Sequence, residues 1–110
     1  MVFPPDAAVH DAWPPSADAL AAPRARLDAI DAVLLRAVRD RVRVCVEIAD
    51  IKRREGVPMM QPQRIAHVHE RAARYGARHG LDGEFLHRLY DLIVEETCRV
   101  EDRVIAEAAA

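Results

Sequence analysis

One amphipathic stretch, from about Arg24 to Arg54, restricts the fold of this 110-residue chain more than any other feature. Leu27, Ile30, Leu34, Val38, Cys45 and Ile48 recur in steps of three and four residues, the spacing of one helix face, and Arg41 and Lys52 continue that rhythm. At about 3.6 residues per turn, the eleven-residue step from Arg41 to Lys52 returns to within about 20° of the same face. Both cations therefore point inward. A positive side chain on a buried stripe needs an anion, because an unpaired buried charge is strongly destabilising.

The length of this helix carries a second constraint. A helix of about 31 residues is about 46 Å long, whereas a compact domain of this size spans about 35 Å. One end protrudes with its apolar stripe facing water, and the economical cover is a second copy of the chain packed around a two-fold axis. Arg24 and Arg41 are about 25 Å apart along the axis and about 100° apart in azimuth. They cannot clasp one small ligand from one chain. If both act on a single anion, Arg24 comes from the neighbouring protomer of a homodimer.

The remainder of the chain adds two more helices. Residues 1–16 contain Pro4, Pro5, Pro14 and Pro15 without periodic apolar positions and read as a flexible tail carrying Trp13; residues 17–110 read as one helical domain. Pro23 is comfortable only in a first turn, so helix 1 is expected to begin or kink there and to end before Gly56 and Pro58. Helix 2 runs from about Gln63 to His79, with Ile65, Val68, Ala72 and Tyr75 on one stripe and Gly80 as its stop. Asp82 is the expected N-cap of helix 3, where Leu86, Leu89, Ile93, Val100 and Val104 recur at helical spacing. No segment alternates as a half-buried strand would. The fold class is all-α.

Composition removes several functions. The 51% hydrophobic and 31% charged residues suit one domain with a core, and the net charge of -2 argues against a nucleic-acid partner despite the cluster Lys52, Arg53 and Arg54. No stretch approaches a membrane span and the start lacks a basic segment followed by an apolar run, so the expected location is cytoplasmic. Cys45 and Cys98 share no metal-type spacing and read as buried reduced thiols. His67 and His69 point to nearly opposite faces of helix 2 and make no zinc pair, while His10, His79 and His87 read as surface residues; no metal site is expected.

Helix 3 supplies an opposing wall for the cations. Thr97 and Glu101, four residues apart, fall close to its apolar stripe, so a hydroxyl and a carboxyl face inward. Taken singly, a core threonine bonds its own helix and a glutamate pairs with a cation. Together with Arg41, Lys52 and Arg64 they describe a pocket for a small, doubly charged acid.

The ordered set of these residues resembles the all-helical chorismate mutase family. It comprises ArgAlaArgLeuAspAlaIleAsp from 24, LeuLeu, AspArg at 40–41, IleAlaAspIleLys at 48–52, ValPro at 57–58, Arg64, GlyLeuAsp at 80–82 and the last helix to Glu101. The resemblance implies intertwined homodimers with two shared active sites and a long first helix spanning both protomers. It also implies that Arg24 from the partner, Arg41 and Lys52 bind the two carboxylates of the substrate. Lys52 would further touch the ether oxygen, and Arg64 would be an active-site arginine. Thr97 falls where the family has a serine near a carboxylate. Glu101 falls where bacterial members carry a glutamine that donates to the ether oxygen and some fungal members carry glutamate, which donates only when protonated.

The reaction implied is an intramolecular rearrangement in which a C–O bond breaks as a C–C bond forms. It requires no nucleophile, metal or redox cofactor, so none is expected. The protein must hold the enolpyruvyl group over the ring and stabilise negative charge growing on the ether oxygen.

Two positions point to the substrate. Ordinary members of the family carry carboxylates where this chain has Gln61 and Ile65, and those acids bind the C4 hydroxyl of chorismate. Isoleucine cannot accept that bond, and a buried hydroxyl left unpaired costs about 1–3 kcal/mol. The segments ValProMetMetGlnProGlnArg at 57–64 and GluThrCysArgValGluAsp at 96–102 resemble the branch that converts 4-amino-4-deoxychorismate to 4-amino-4-deoxyprephenate for p-aminophenylalanine and secondary metabolites such as antibiotics. In that reading Met60, Gln61 and Ile65 shape the space around C4. The alternatives are an ordinary chorismate mutase, an isochorismate-pyruvate lyase and a non-catalytic helical binding dimer.

Overall fold

Glycines set the ends of the first two helices. The computed structural model describes residues 15–109. They form α1 (Pro15–Glu55), α2 (Pro62–His79) and α3 (Gly83–Ala109), with no strand among the described residues. Gly56 and Gly80 adopt left-handed φ values of 68° and 70°. This lets the next amide turn back onto the helix: Val57 N–H donates to the Lys52 carbonyl at 2.9 Å and Leu81 N–H to the Gly76 carbonyl at 3.0 Å. At the start of α3 the Asp82 carboxylate accepts from Phe85 N–H at 3.2 Å, the cap expected of it.

Two expectations about the helices need correction. α1 begins at Pro15, with Pro23 in its interior, and spans 41 residues instead of about 31. Proline suits a first turn, and the alanines at 17, 19, 21 and 22 favour helix strongly enough to carry the chain through Pro23, where one backbone hydrogen bond is missing. Residues 1–14, which include Trp13 and most of the expected tail, lie outside the described residues, and Pro15 and Ser16 are already helical. On α2 the buried positions are Ala72 and Gly76, while Tyr75 is exposed. A Cβ on Gly76 would stand 2.5 Å from Leu86 Cδ1 and 3.3 Å from the Leu81 carbonyl, so glycine is what permits the close approach of α2 to α3.

The chain separates into two units between Arg39 and Asp40. In the first, residues 15–39 are helix, and Leu27, Ile30, Leu34 and Val38 of the apolar stripe are 56, 62, 58 and 49% exposed. The second unit holds the last turns of α1 with all of α2 and α3. Its core is built from Cys45 and Ala49 of α1, Ala72 and Gly76 of α2, and Leu86, Val100 and Glu101 of α3. These are mostly small side chains, and no large side chain among the described residues is fully buried. No described helix is long and apolar enough to cross a membrane.

Candidate active site

The charged residues of the second unit are organised by three helix faces and one loop. The link between α1 and α2 runs only from Gly56 to Gln61, so the end of α1 and the start of α2 lie side by side. Lys52, one turn before the end of α1, is therefore within reach of the loop. Its Nζ donates to the Met59 carbonyl at 2.7 Å and to Glu101 Oε1 at 2.8 Å. The side chains of Lys52 and Glu101 are 13 and 4% exposed, and the pair is a partly buried ion pair held by a further backbone acceptor. The neighbouring Arg53 and Arg54 both donate to Asp50 instead, and the Arg53 bond leads in holding the Asp50 carboxyl below its ordinary range.

Arg41 is oriented by a relay across to α3. Its guanidinium donates to Thr97 Oγ1 at 2.6 Å, and the threonine hydroxyl in turn donates to the Ile93 carbonyl one turn earlier at 2.9 Å. Thr97 thus satisfies its own helix, as expected of a core threonine, and also fixes a cation, a contact not expected from sequence. Cys45 packs against the same pair, with its Sγ 3.6 Å from Thr97 Oγ1.

A cavity of about 300 Å³ opens between these groups. Eight of the nine residues expected from sequence line it: Arg41, Lys52, Met60, Gln61, Arg64, Ile65, Thr97 and Glu101. Gln61 is the N-cap of α2 but makes no side-chain cap bond, and its backbone carbonyl accepts from Arg64 and Ile65, which leaves its amide free for the cavity. The first turn of α2 contains no acidic residue, so its positive end reinforces Arg64. Arg24 is the exception: it lies in the first unit, on an exposed stretch of α1.

Sequence reasoning missed part of the lining. The Met59 carbonyl is a backbone group in an irregular loop, and periodicity gives no signal for it. Val44, Val94 and Cys98 supply apolar walls at positions flanking the named stripes, beside Val68 of the helix 2 stripe. Cys98 is partly buried, whereas Cys45 is buried. Burial first, then the nearby Glu101 and Asp102 charges, push the Cys98 thiol above its ordinary range, so it stays protonated and unreactive at neutral pH.

Three cations, Arg41, Lys52 and Arg64, and one carboxylate, Glu101, leave the cavity with two formal positive charges. A small dianion neutralises it. The pattern of chorismate mutase type II matches residues 23–102, a span that contains every one of these side chains. The chain belongs to the chorismate mutase type II family. It is therefore an isomerase of that type, built for an intramolecular rearrangement.

Relatives agree over the same span. A protein of Streptomyces pristinaespiralis named 4-amino-4-deoxychorismate mutase is 59% identical over 93 residues, covering 84% of this chain and 72% of the relative. A protein of the same name from Streptomyces venezuelae is 58% identical over 83 residues, covering 76% of this chain and 81% of the relative. A chorismate mutase of Methanocaldococcus jannaschii is 23% identical over 88 residues, covering 80% of this chain and 89% of the relative.

Proposed function

We propose that this family member rearranges 4-amino-4-deoxychorismate to 4-amino-4-deoxyprephenate, and that it does so as an intertwined homodimer with shared active sites. The observation that carries the substrate is the 59 and 58% identity to two proteins named for that reaction. The chemistry of the lining supports it: Ile65 offers no acceptor for a C4 hydroxyl, and Met60 and Gln61, which also line the cavity, carry no charge.

In this reading Arg41 and Arg64 receive the two substrate carboxylates and fix the enolpyruvyl arm over the ring. Lys52, held by Met59 and Glu101, presents its ammonium to the ether oxygen as the C–O bond lengthens. A fixed cation in a site emptied of water stabilises that growing charge far more than a solvated one. Glu101 positions Lys52. When protonated it can also donate to the same oxygen.

Arg24 of the partner completes the anion site. Two observations support the pairing: the apolar stripe of residues 27–38 is about half exposed or more, and Arg41 and Arg64 also line an adjoining hollow of about 360 Å³ beside Arg71 and Tyr75. That hollow gives a partner helix a route to the cavity. Work in the cytoplasm on a diffusible acid fits the two free thiols.

The test is to offer 4-amino-4-deoxychorismate, chorismate and isochorismate side by side. The expected result is the largest kcat/KM for the amino compound and no pyruvate from any of the three. Preference for chorismate would make it an ordinary chorismate mutase; pyruvate release from isochorismate would make it a lyase.

A further inference from the structure

On the seam between α2 and α3, two imidazoles and a carboxylate meet outside the cavity. His69 Nε2 lies 3.1 Å from Asp91 Oδ1, and His87 Nε2 lies 3.5 Å from Asp91 Oδ2. The two rings stand 4.3 Å apart at 30°, and one donor atom from each of the three residues falls within 4.8 Å of the others. None of the three lines the cavity or the adjoining hollow.

We propose that His69, His87 and Asp91 bind one divalent transition-metal ion of the zinc class, which clamps α2 to α3. Nitrogen and oxygen ligands sit about 2.0–2.1 Å from such an ion, which at tetrahedral angles separates neighbouring donors by about 3.3–3.4 Å. The two observed separations, each to a different Asp91 oxygen, lie on either side of that value, so Asp91 either meets the ion through both oxygens or turns slightly to present one. His87 and Asp91 are four residues apart on one face of α3, so backbone geometry alone spaces them. His69 comes from a different helix and is already in contact, so the site closes without loop movement. A water fills the fourth position.

The same groups also suit an ion-pair staple, with both histidines charged and sharing Asp91. Two imidazolium rings stacked at 4.3 Å would repel each other, whereas two neutral rings facing one cation do not. Two nitrogens and one oxygen, without thiolate, select zinc, cobalt or nickel over calcium and magnesium. Affinity is set by the surroundings. His69 is held at 17% side-chain exposure, but its Nδ1 is buried without a partner, and Asp91 and His87 are 53 and 62% exposed. A ligand set without outer hydrogen-bonding support loses about 10–100-fold in affinity, so this one binds more weakly than a fully supported site.

Titration of the full chain with Co²⁺, followed by its visible absorption, tests the proposal. The expected result is one cobalt per chain with tetrahedral bands, displacement by Zn²⁺, and a Tm that rises with Zn²⁺ concentration. His87→Ala and Asp91→Asn are each expected to weaken binding at least about tenfold, with helical circular dichroism and metal-free mutase turnover unchanged. His67→Ala and Cys98→Ser should keep the cobalt spectrum. Absence of a saturable spectrum at about 100 µM cobalt would overturn the proposal, as would binding that survives both His87→Ala and Asp91→Asn.

Discussion

The two halves of α1 share one hydrophobic rhythm and end up in different environments. Between Asp40 and Glu55, Cys45 and its neighbour Ala49 are buried and Arg41 and Lys52 are paired to α3, although Ile48 of the stripe stays 40% exposed at the cavity; between Leu27 and Val38 the same stripe is about half exposed or more. The difference teaches that amphipathic periodicity records what a helix needs to cover, not where the cover comes from. In one half the cover is α2 and α3. In the other, by the reading proposed above, it is a second copy.

The sharpest division between the halves is chemical, and Lys52→Ala should show the largest effect. Removing the ammonium is expected to lower kcat by about 10³-fold while helical content is retained, as measured by steady-state kinetics and circular dichroism. A binder without catalysis would lose only affinity. Arg24→Ala should lower kcat/KM by about 10²-fold although Arg24 lies outside the unit that holds the cavity. Mixing Arg24→Ala and Lys52→Ala proteins should then restore about a quarter of the wild-type rate, because half of the mixed dimers are hybrids with one intact site. No recovery on mixing would break the idea that the halves cooperate across chains.

A charge on the exposed stripe asks the same question of assembly. Leu34→Glu is expected to shift the species seen by sedimentation from dimer to monomer and to reduce turnover in parallel; an unchanged dimer would mean that the stripe has no partner. The smallest effect belongs to the packed half. Gly76→Ala gains helix propensity but drives a methyl into Leu86, and a net loss of about 1 kcal/mol in denaturant unfolding is expected with turnover unchanged.

The parts of this molecule readable in advance are those governed by local rules. Gly56, Gly80 and Asp82 end or start helices for reasons contained in a few residues, and all three behave as expected. Arg41, Lys52, Thr97 and Glu101 share one cavity because helical spacing placed each on an inward face. The first turns of α1 were hidden, since two prolines argue against a helix that the alanines between them favour. On α2 the exchange of Tyr75 for Gly76 depends on how closely Leu86 approaches, a tertiary fact with no sequence signature. The His69, His87 and Asp91 cluster was out of view for the same reason: its members come from two helices whose register is set by that packing.

Lys52 is tied to the following loop twice, through its carbonyl to Val57 and through its ammonium to Met59. Met60 and Gln61 come next in the chain, so in the proposed function the segment facing the ring substituent hangs from the residue assigned to the ether oxygen. If that proposal holds, replacements at 60, 61 and 65 retarget selectivity while the cations on the helices stay in place. A laboratory lineage moving between amino and hydroxyl substrates would find its productive changes in that short stretch.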